Sequence, residues 1–294
     1  MIVSKIIGGL GNQMFQYAIG RHLSLKTGQE LVLDTLGFET YDLHAYSLDH
    51  FNIAGRLAAL KDVETFTRLK PKKGRRHFLY NLFVADTRRY ALEPHYHVDP
   101  RILDRVGTVY LDGYWQSEKY FKDIEEVIRK DFTLKDSFSS RDEEIIQEMQ
   151  NVTAVSLHVR RKDFAHHPKL AAYHGTCSPE YYNNAVEMVA EHAKNLHLFI
   201  FSDDAAWAKE NLHFPYPMTH VDHNDASKNY ADLTLMSMCR HNILANSSFS
   251  WWGAWLNHNT DKIVITPSRW TNDITLDMRD LIPPSWIKLS SENK

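Results

Sequence analysis

The sequence predicts an α/β protein whose parallel sheets are covered by helices on both faces, and three observations carry that reading. The second half of the chain alternates short apolar runs with helical periodicity. Residues 155–159, 196–201 and 242–245 read as buried strands, and 179–194, 228–238 and 249–257 as the helices that cross between them. The chain opens on the same unit: 2–7 as a strand, Gly8-Gly9-Leu10-Gly11-Asn12 as a tight turn, and 13–27 as a helix stopped by Gly28. Finally, the polar clusters follow predicted strands, and ligands of such sheets gather at the carboxyl ends of the strands.

Bulk composition narrows the class. The 294 residues are 43% hydrophobic and 24% charged, an ordinary globular balance with room for two domains, and a boundary is expected near Asn151, giving 1–150 and 151–294. A net charge of −3 argues against a nucleic-acid partner, which calls for a strongly basic surface. Cys177 and Cys239 are too few for a disulfide framework and make no zinc-like spacing, so a reducing compartment is expected. No run approaches the ~18 apolar residues of a spanning helix, and the N-terminus has no signal-peptide core, which places the protein in the cytoplasm.

In chain order, the opening glycine turn feeds a helix start, where backbone amides can hold a phosphate or carboxylate. Asp34 stands where a dinucleotide-binding acid would, but Met14 occupies the third glycine position of that fingerprint. Glycines that serve only the turn are the simpler alternative. From 40 to 105 the pattern is poor. Six of the nine residues in 68–76 are basic, readable as a peripheral contact with an anionic membrane or as a solvated loop. Residues 109–112 read as a strand, followed by Gly113-Tyr114-Trp115-Gln116-Ser117, a loop of planar and hydrogen-bonding groups suited to a sugar. Helices are expected over 120–130 and 141–150.

The stretch 155–163 ends a strand in paired arginines. Arg160 and Arg161 point to opposite faces if the strand continues, so one reaches an anion while the other braces the loop through a carboxylate such as Asp163. Ser202-Asp203-Asp204 and Asn246-Ser247-Ser248-Phe249 follow the next buried strands. The latter opens a helix and offers hydroxyls and amides, so an arginine and a helix start together suit a diphosphate. No carboxylate pair forms Asp-x-Asp, so positive charge is expected from Arg160 and no metal from the protein's ligands. Trp251, Trp252 and Trp255 fall at helical spacing and read as core.

Three stretches, Ile7-Gly-Gly-Leu-Gly-Asn-Gln-Met-Phe-Gln-Tyr-Ala18, His158-Val-Arg-Arg-Lys-Asp163 and Asn246-Ser-Ser-Phe-Ser-Trp-Trp-Gly-Ala254, resemble in order and spacing the α-1,2-fucosyltransferases of glycosyltransferase family 11, over residues 2 to about 270. The resemblance implies a GT-B type fold, with two Rossmann-like domains facing a central cleft, the first on the acceptor side and the second binding the donor. It implies GDP-L-fucose as donor, a galactose-terminated glycan as acceptor, and inversion to an α-1,2 product without a metal. By the same resemblance Arg160 binds the β-phosphate, His158 lies near the guanosine, Asp232 reads guanine, Ser247, Ser248 and Phe249 flank the pyrophosphate, and Gly11 with Asn12 closes on it from the other domain. Asp163 is the candidate general base, with His166 or His167 behind it; Pro168 stands about where some relatives carry a carboxylate. Tyr114, Trp115 and Gln116 are expected to frame the acceptor. The rival classes are an NAD(P)-dependent oxidoreductase built on the glycine turn and a non-catalytic glycan-binding protein.

Overall fold

The computed structural model describes residues 1–70, 86–161, 173 and 175–291. The chain forms two compact units, Met1–Lys135 with Asp277–Leu281, and Asp136–Leu276 with Ile282–Lys294. The division thus falls at 135 rather than 150. Asp280 explains the returning segment: its carboxylate accepts from Lys119 Nζ at 2.5 Å and from the Val98 amide at 2.9 Å, and its carbonyl accepts from Ser117 Oγ at 2.6 Å.

Unit one is a five-stranded parallel sheet in the order β3-β2-β1-β5-β4, formed by β1 (Ile2–Lys5), β2 (Leu31–Asp34), β3 (Arg56–Leu57), β4 (Tyr90–Leu92) and β5 (Val109–Asp112). Val3 sits in register with Val32 and Tyr110, and these residues pack with Val63, Phe66 and Tyr90. Helix α1 (Leu10–Thr27) starts three residues earlier than the apolar spacing implies, so Gly11 and Asn12 belong to its first turn. It ends at Gly28, whose φ of 67° lets its amide return to Ser24. α1 runs so close to β1 that a side chain at Gly20 would meet Ser4 Cβ at 3.0 Å. Helix α2 (Leu60–Thr67) packs Val63 and Phe66 into the core, and α3 (Glu125–Asp131) begins after short 3-10 turns where one longer helix is expected. Of the basic stretch 68–76, Lys70 is tied to the sheet, its Nζ 2.8 Å from Asp112 Oδ2; residues 71–76 lie outside the described residues.

Unit two is a six-stranded parallel sheet in the order β11-β10-β9-β6-β7-β8. Its strands are β6 (Thr153–Val159), β7 (Leu196–Ser202), β8 (Met218–Val221), β9 (His241–Ile243), β10 (Val264–Pro267) and β11 (Ile287–Leu289). β11 has no counterpart in the sequence reading, because an edge strand of three partly exposed residues lacks an apolar pattern. One face is covered by α5 (Pro179–Ala190), whose Tyr181, Tyr182, Ala185, Val186 and Val189 pack on Val155, Leu157 and Val159. On the other face lie α4 (Ser140–Gln150) and α7 (Asn229–Met238), joined through Ile145, Met149, Phe199, Leu235 and Met236. α4 therefore belongs to the second core. α6 (Ala205–Asn211) follows β7, and α8 (Ser248–Leu256) follows β9, burying Trp251, Trp252 and Trp255 as expected of core residues. A buried chain of amides holds α8 to the sheet: Asn257 Nδ2 donates to Asn242 Oδ1 at 2.8 Å, and Asn242 Nδ2 to Ser156 Oγ at 2.7 Å. Both cysteines are buried free thiols.

Candidate active site

All strands of unit two are parallel, so the polar clusters after β6, β7, β8 and β9 emerge at one edge of one sheet. The tips of β6 and β9 are fixed from beneath by α5. Tyr182 Oη donates to the carbonyl of His158 at 3.1 Å, and Tyr181 Oη to that of Leu244 at 2.7 Å. Both rings are buried, and burial pushes both phenols well above their ordinary range, so they remain donors at any working pH. The sequence reading places Tyr181 and Tyr182 only within the helix over 179–194; in the fold they are the residues that hold these two strand tips.

Arg160 leaves the end of β6 and donates from Nη1 to Ser247 Oγ at 3.0 Å. The same oxygen caps α8 by accepting from the Phe249 amide at 3.3 Å. A hydroxyl oxygen has two lone pairs and one proton. With both lone pairs engaged, the Ser247 hydroxyl is left its proton to donate. A guanidinium, a hydroxyl proton and the first turn of a helix then converge, which is the chemistry of an anion cradle. His158, the residue before Val159 in β6, is buried with its ring 5.6 Å from that of Phe249. Burial, reinforced by the Arg160 charge, pulls its pKa down to about 3, so the imidazole is neutral and contributes no charge to the cradle. Its Nδ1 has no hydrogen-bond partner among the described residues.

Arg161 has other partners than Arg160. Its guanidinium stacks 3.8 Å over the Trp207 ring and its backbone amide donates to Asp203 Oδ1 at 2.8 Å. Asp203 holds the loop and Asp204 caps α6. Asp163, His166, His167 and Pro168 lie outside the described residues. Asp232 stands in the first turn of α7 and accepts from Asn224 Nδ2 at 2.9 Å. Burial, with a smaller contribution from the Asp142 charge, pushes its carboxyl up to about 7. Ser248 and Phe249 occupy the first turn of α8. The structure thus brings His158, Arg160, Ser247, Ser248, Phe249 and Asp232 to one edge of unit two.

Gly11 and Asn12 belong to unit one. Asn12 Oδ1 accepts from Gln116 Nε2 at 2.8 Å. The glycine turn is held by two buried glutamines that the sequence reading assigned only to the helix. Gln13 Nε2 donates to the carbonyls of Gly8 and Ala45, each at 2.8 Å, while its Oε1 accepts the Ser47 amide at 2.9 Å. Gln16 joins the Ile7 amide at 2.9 Å to the Gly113 carbonyl at 3.1 Å. A buried glutamine within a helical motif, spaced three residues from another, was the available signal. Asp34 is spent on the Tyr110 hydroxyl and the Leu36 amide, both of its oxygens engaged, which removes the acid a dinucleotide ribose would need. Trp115 does not offer a sugar platform: it is 0% exposed, with φ of 56°, its amide held by Glu93. Tyr114 beside it is exposed, and Phe38, Tyr41, His44 and Tyr46 form a chain of ring contacts after β2.

Among the described residues no group of three or more His, Cys, Asp or Glu is placed to hold a metal ion, and no helix is long and apolar enough to cross a membrane.

Two Rossmann-like units in one chain, the second carrying an anion cradle at the edge of its sheet, make a fold of the GT-B type. The model of "Glycosyl transferase family 11" matches residues 46–290, and the chain belongs to that family. An α-1,2-colitosyltransferase of Escherichia coli is 31% identical over 293 residues, covering 98% of this chain and 99% of the relative. The O-antigen biosynthesis glycosyltransferase WbnK of the same organism is 30% identical, covering 97% and 99%. Among solved structures, the α-1,6-fucosyltransferase NodZ, known from Bradyrhizobium and soaked with GDP-fucose, superposes with a TM-score of 0.51 at 15% identity, covering 86% of this chain and 91% of that one.

Proposed function

We propose that the protein transfers L-fucose from GDP-β-L-fucose to the 2-hydroxyl of a galactoside, with inversion and without a metal ion. The observation that carries this reading is the Arg160–Ser247 pair at the tips of β6 and β9, 3.0 Å apart. In the transfer the bond between the sugar C1 and the β-phosphate oxygen breaks, and negative charge grows on that phosphate. Arg160, the hydroxyl proton of Ser247 and the first amides of α8 are donors aimed at that charge, and donors preset in this way stabilise a transition state more than the ground state. The acceptor oxygen attacks C1 from the face opposite the departing GDP, which converts the β-linked donor to an α product. Its proton passes to a base; Asp163, with His166 or His167 behind it, is the residue we assign. Asp232 reads the N1 and N2 donors of guanine. In the first unit we assign Gly11 and Asn12 to the pyrophosphate, and the loops after β2 and β5 to the acceptor, bound through rings such as the exposed Tyr114 and the half-buried Tyr41.

A second reading is favoured by the E. coli colitosyltransferase: colitose is L-fucose without its 3-hydroxyl, and the same cradle serves either donor. In both readings the protein works in the cytoplasm in surface-polysaccharide assembly, and vesicle co-sedimentation with anionic lipid separates the two readings of the basic stretch 68–76, a membrane contact or a solvated loop. The test of the function is a panel of GDP-sugars and galactosides assayed with EDTA present, with the product linkage read by NMR. An α-1,2-linked product formed in chelator is expected. Loss of turnover in EDTA, restored by a divalent cation, overturns the metal-free transfer, and no consumption of any GDP-sugar overturns the reading as a whole.

A further inference from the structure

Beyond the phosphate cradle, the same sheet edge carries a second polar cluster after β8. Asp142 opens α4 as a capping-box residue: its Oδ2 accepts from the Ser139 amide at 3.1 Å and from Ser139 Oγ at 2.6 Å. Its other oxygen accepts from Asn224 Nδ2 at 2.9 Å and lies 2.8 Å from His223 Nε2. Asn224 Nδ2 also donates to Asp232 Oδ1 at 2.9 Å. The amide nitrogen thus spends both protons on two carboxylates. This fixes the orientation of the amide, because the opposite flip would press its oxygen against two acceptors. Asn224 Oδ1 is left turned away from both carboxylates, buried and without a partner among the described residues. Asn229 Oδ1, one helical turn before Asp232, is also buried without one. A buried acceptor left unmade is costly unless a ligand completes it.

The atoms still seeking partners here, the Asp232 carboxylate and two amide oxygens, are all acceptors. Their complement is a planar group with adjacent donors. The N1–H and N2–H₂ edge of guanine offers three protons; a carboxylate takes two of them, from N1 and N2, and the second amino proton is left over. The placement is compatible: β8 lies two strands from β6, about 10 Å at the usual spacing, so a nucleotide whose phosphates sit at the β6 and β9 tips lays its base toward β8.

We infer that Asn224 is a base-specificity residue, its Oδ1 accepting the second amino proton of guanine while its NH₂ group, clamped by Asp142, aims the Asp232 carboxylate. This rests on the reading of Asp232 as the guanine carboxylate. The test is titration calorimetry with GDP, IDP (guanine without the 2-amino group) and ADP on the full chain and on Asn224→Ala and Asp232→Asn. The parent is expected to prefer GDP over IDP by well over tenfold, and Asn224→Ala to shrink that ratio by about tenfold, the worth of one hydrogen bond to a buried acceptor. A residue that merely supports the fold would weaken GDP and IDP alike, so an unchanged ratio overturns the inference. Equal affinity of the parent for GDP and IDP overturns it without any variant. If Asp232→Asn leaves GDP binding untouched, the underlying guanine reading has failed instead.

Discussion

Replacing Asp232 with asparagine should make the protein more stable and less able to hold its nucleotide, and only at neutral to alkaline pH should the gain in stability be large. In the native chain the carboxyl titrates at about 7 against an ordinary 3.8, because burial, and less strongly the Asp142 charge, disfavours the ionised form. A carboxyl raised in this way keeps its proton longer in the folded than in the unfolded chain. Its stabilising contribution is therefore complete below about pH 4, falls as pH rises through the folded value, and is gone above it. At 1.36 kcal/mol per unit the interval from 3.8 to about 7 amounts to ~4 kcal/mol, and partial contact with solvent reduces this to roughly 2 kcal/mol. Asparagine keeps the oxygen that accepts from Asn224 and carries no charge. At pH 8 Asp232→Asn should thus melt higher by roughly 4–8 °C, with less than half that gap at pH 5. The same change presents a donor to guanine's N1–H, and GDP affinity should fall by about 10²-fold or more. Thermal melts across pH 5 to 8, paired with GDP titrations, read both. A variant that melts below the parent at pH 8, or a gap that ignores pH, would refute the account of a buried, strained charge.

Three further outcomes follow from the geometry. Arg160→Ala should lower turnover by about 10³-fold while far-UV circular dichroism stays that of the parent, since in the proposed reaction the residue stabilises departing phosphate rather than the core; single-turnover kinetics with GDP-fucose measures it. Ser247→Ala removes both a helix cap and the hydroxyl proton, so denaturant melts should show a loss of about 1 kcal/mol and assays a rate lower by about 10²-fold. Gln13→Leu orphans the Gly8 carbonyl and the Ser47 amide inside unit one, while the Ala45 carbonyl keeps the Ser47 hydroxyl, and should cost about 2 kcal/mol, read as a lowered urea midpoint.

How much was legible in the chain depended on how local the determinant was. Strands such as β6 and β7 announce themselves because seven consecutive residues are nearly all buried, and α8 because a serine cap precedes a tryptophan-rich face. Arg160 and Ser247 were readable because each directly follows a buried strand or opens a helix. The strands β3, β4 and β11 were not, having two or three residues each and partial exposure, so that pairing rather than pattern makes them strands. Trp115 misled because composition says nothing of burial, and here a positive φ turns the indole inward. Arg161 stacks on the ring of Trp207, a partner 46 residues away that no local spacing discloses. Asn224 was invisible for the same reason: its meaning comes from Asp142 and Asp232 being brought to either side of one amide.

The paired tyrosines of α5 have a mechanical consequence. Strand ends ordinarily give their last carbonyls to water or to whatever ligand arrives, and the loops beyond them tighten only when filled. Here the backbone of His158 and of Leu244 is pinned by phenols from the opposite side of the sheet. The seat proposed for the leaving group is consequently stiff whether empty or full, so the entropy of arranging it is charged to folding and not to each catalytic cycle.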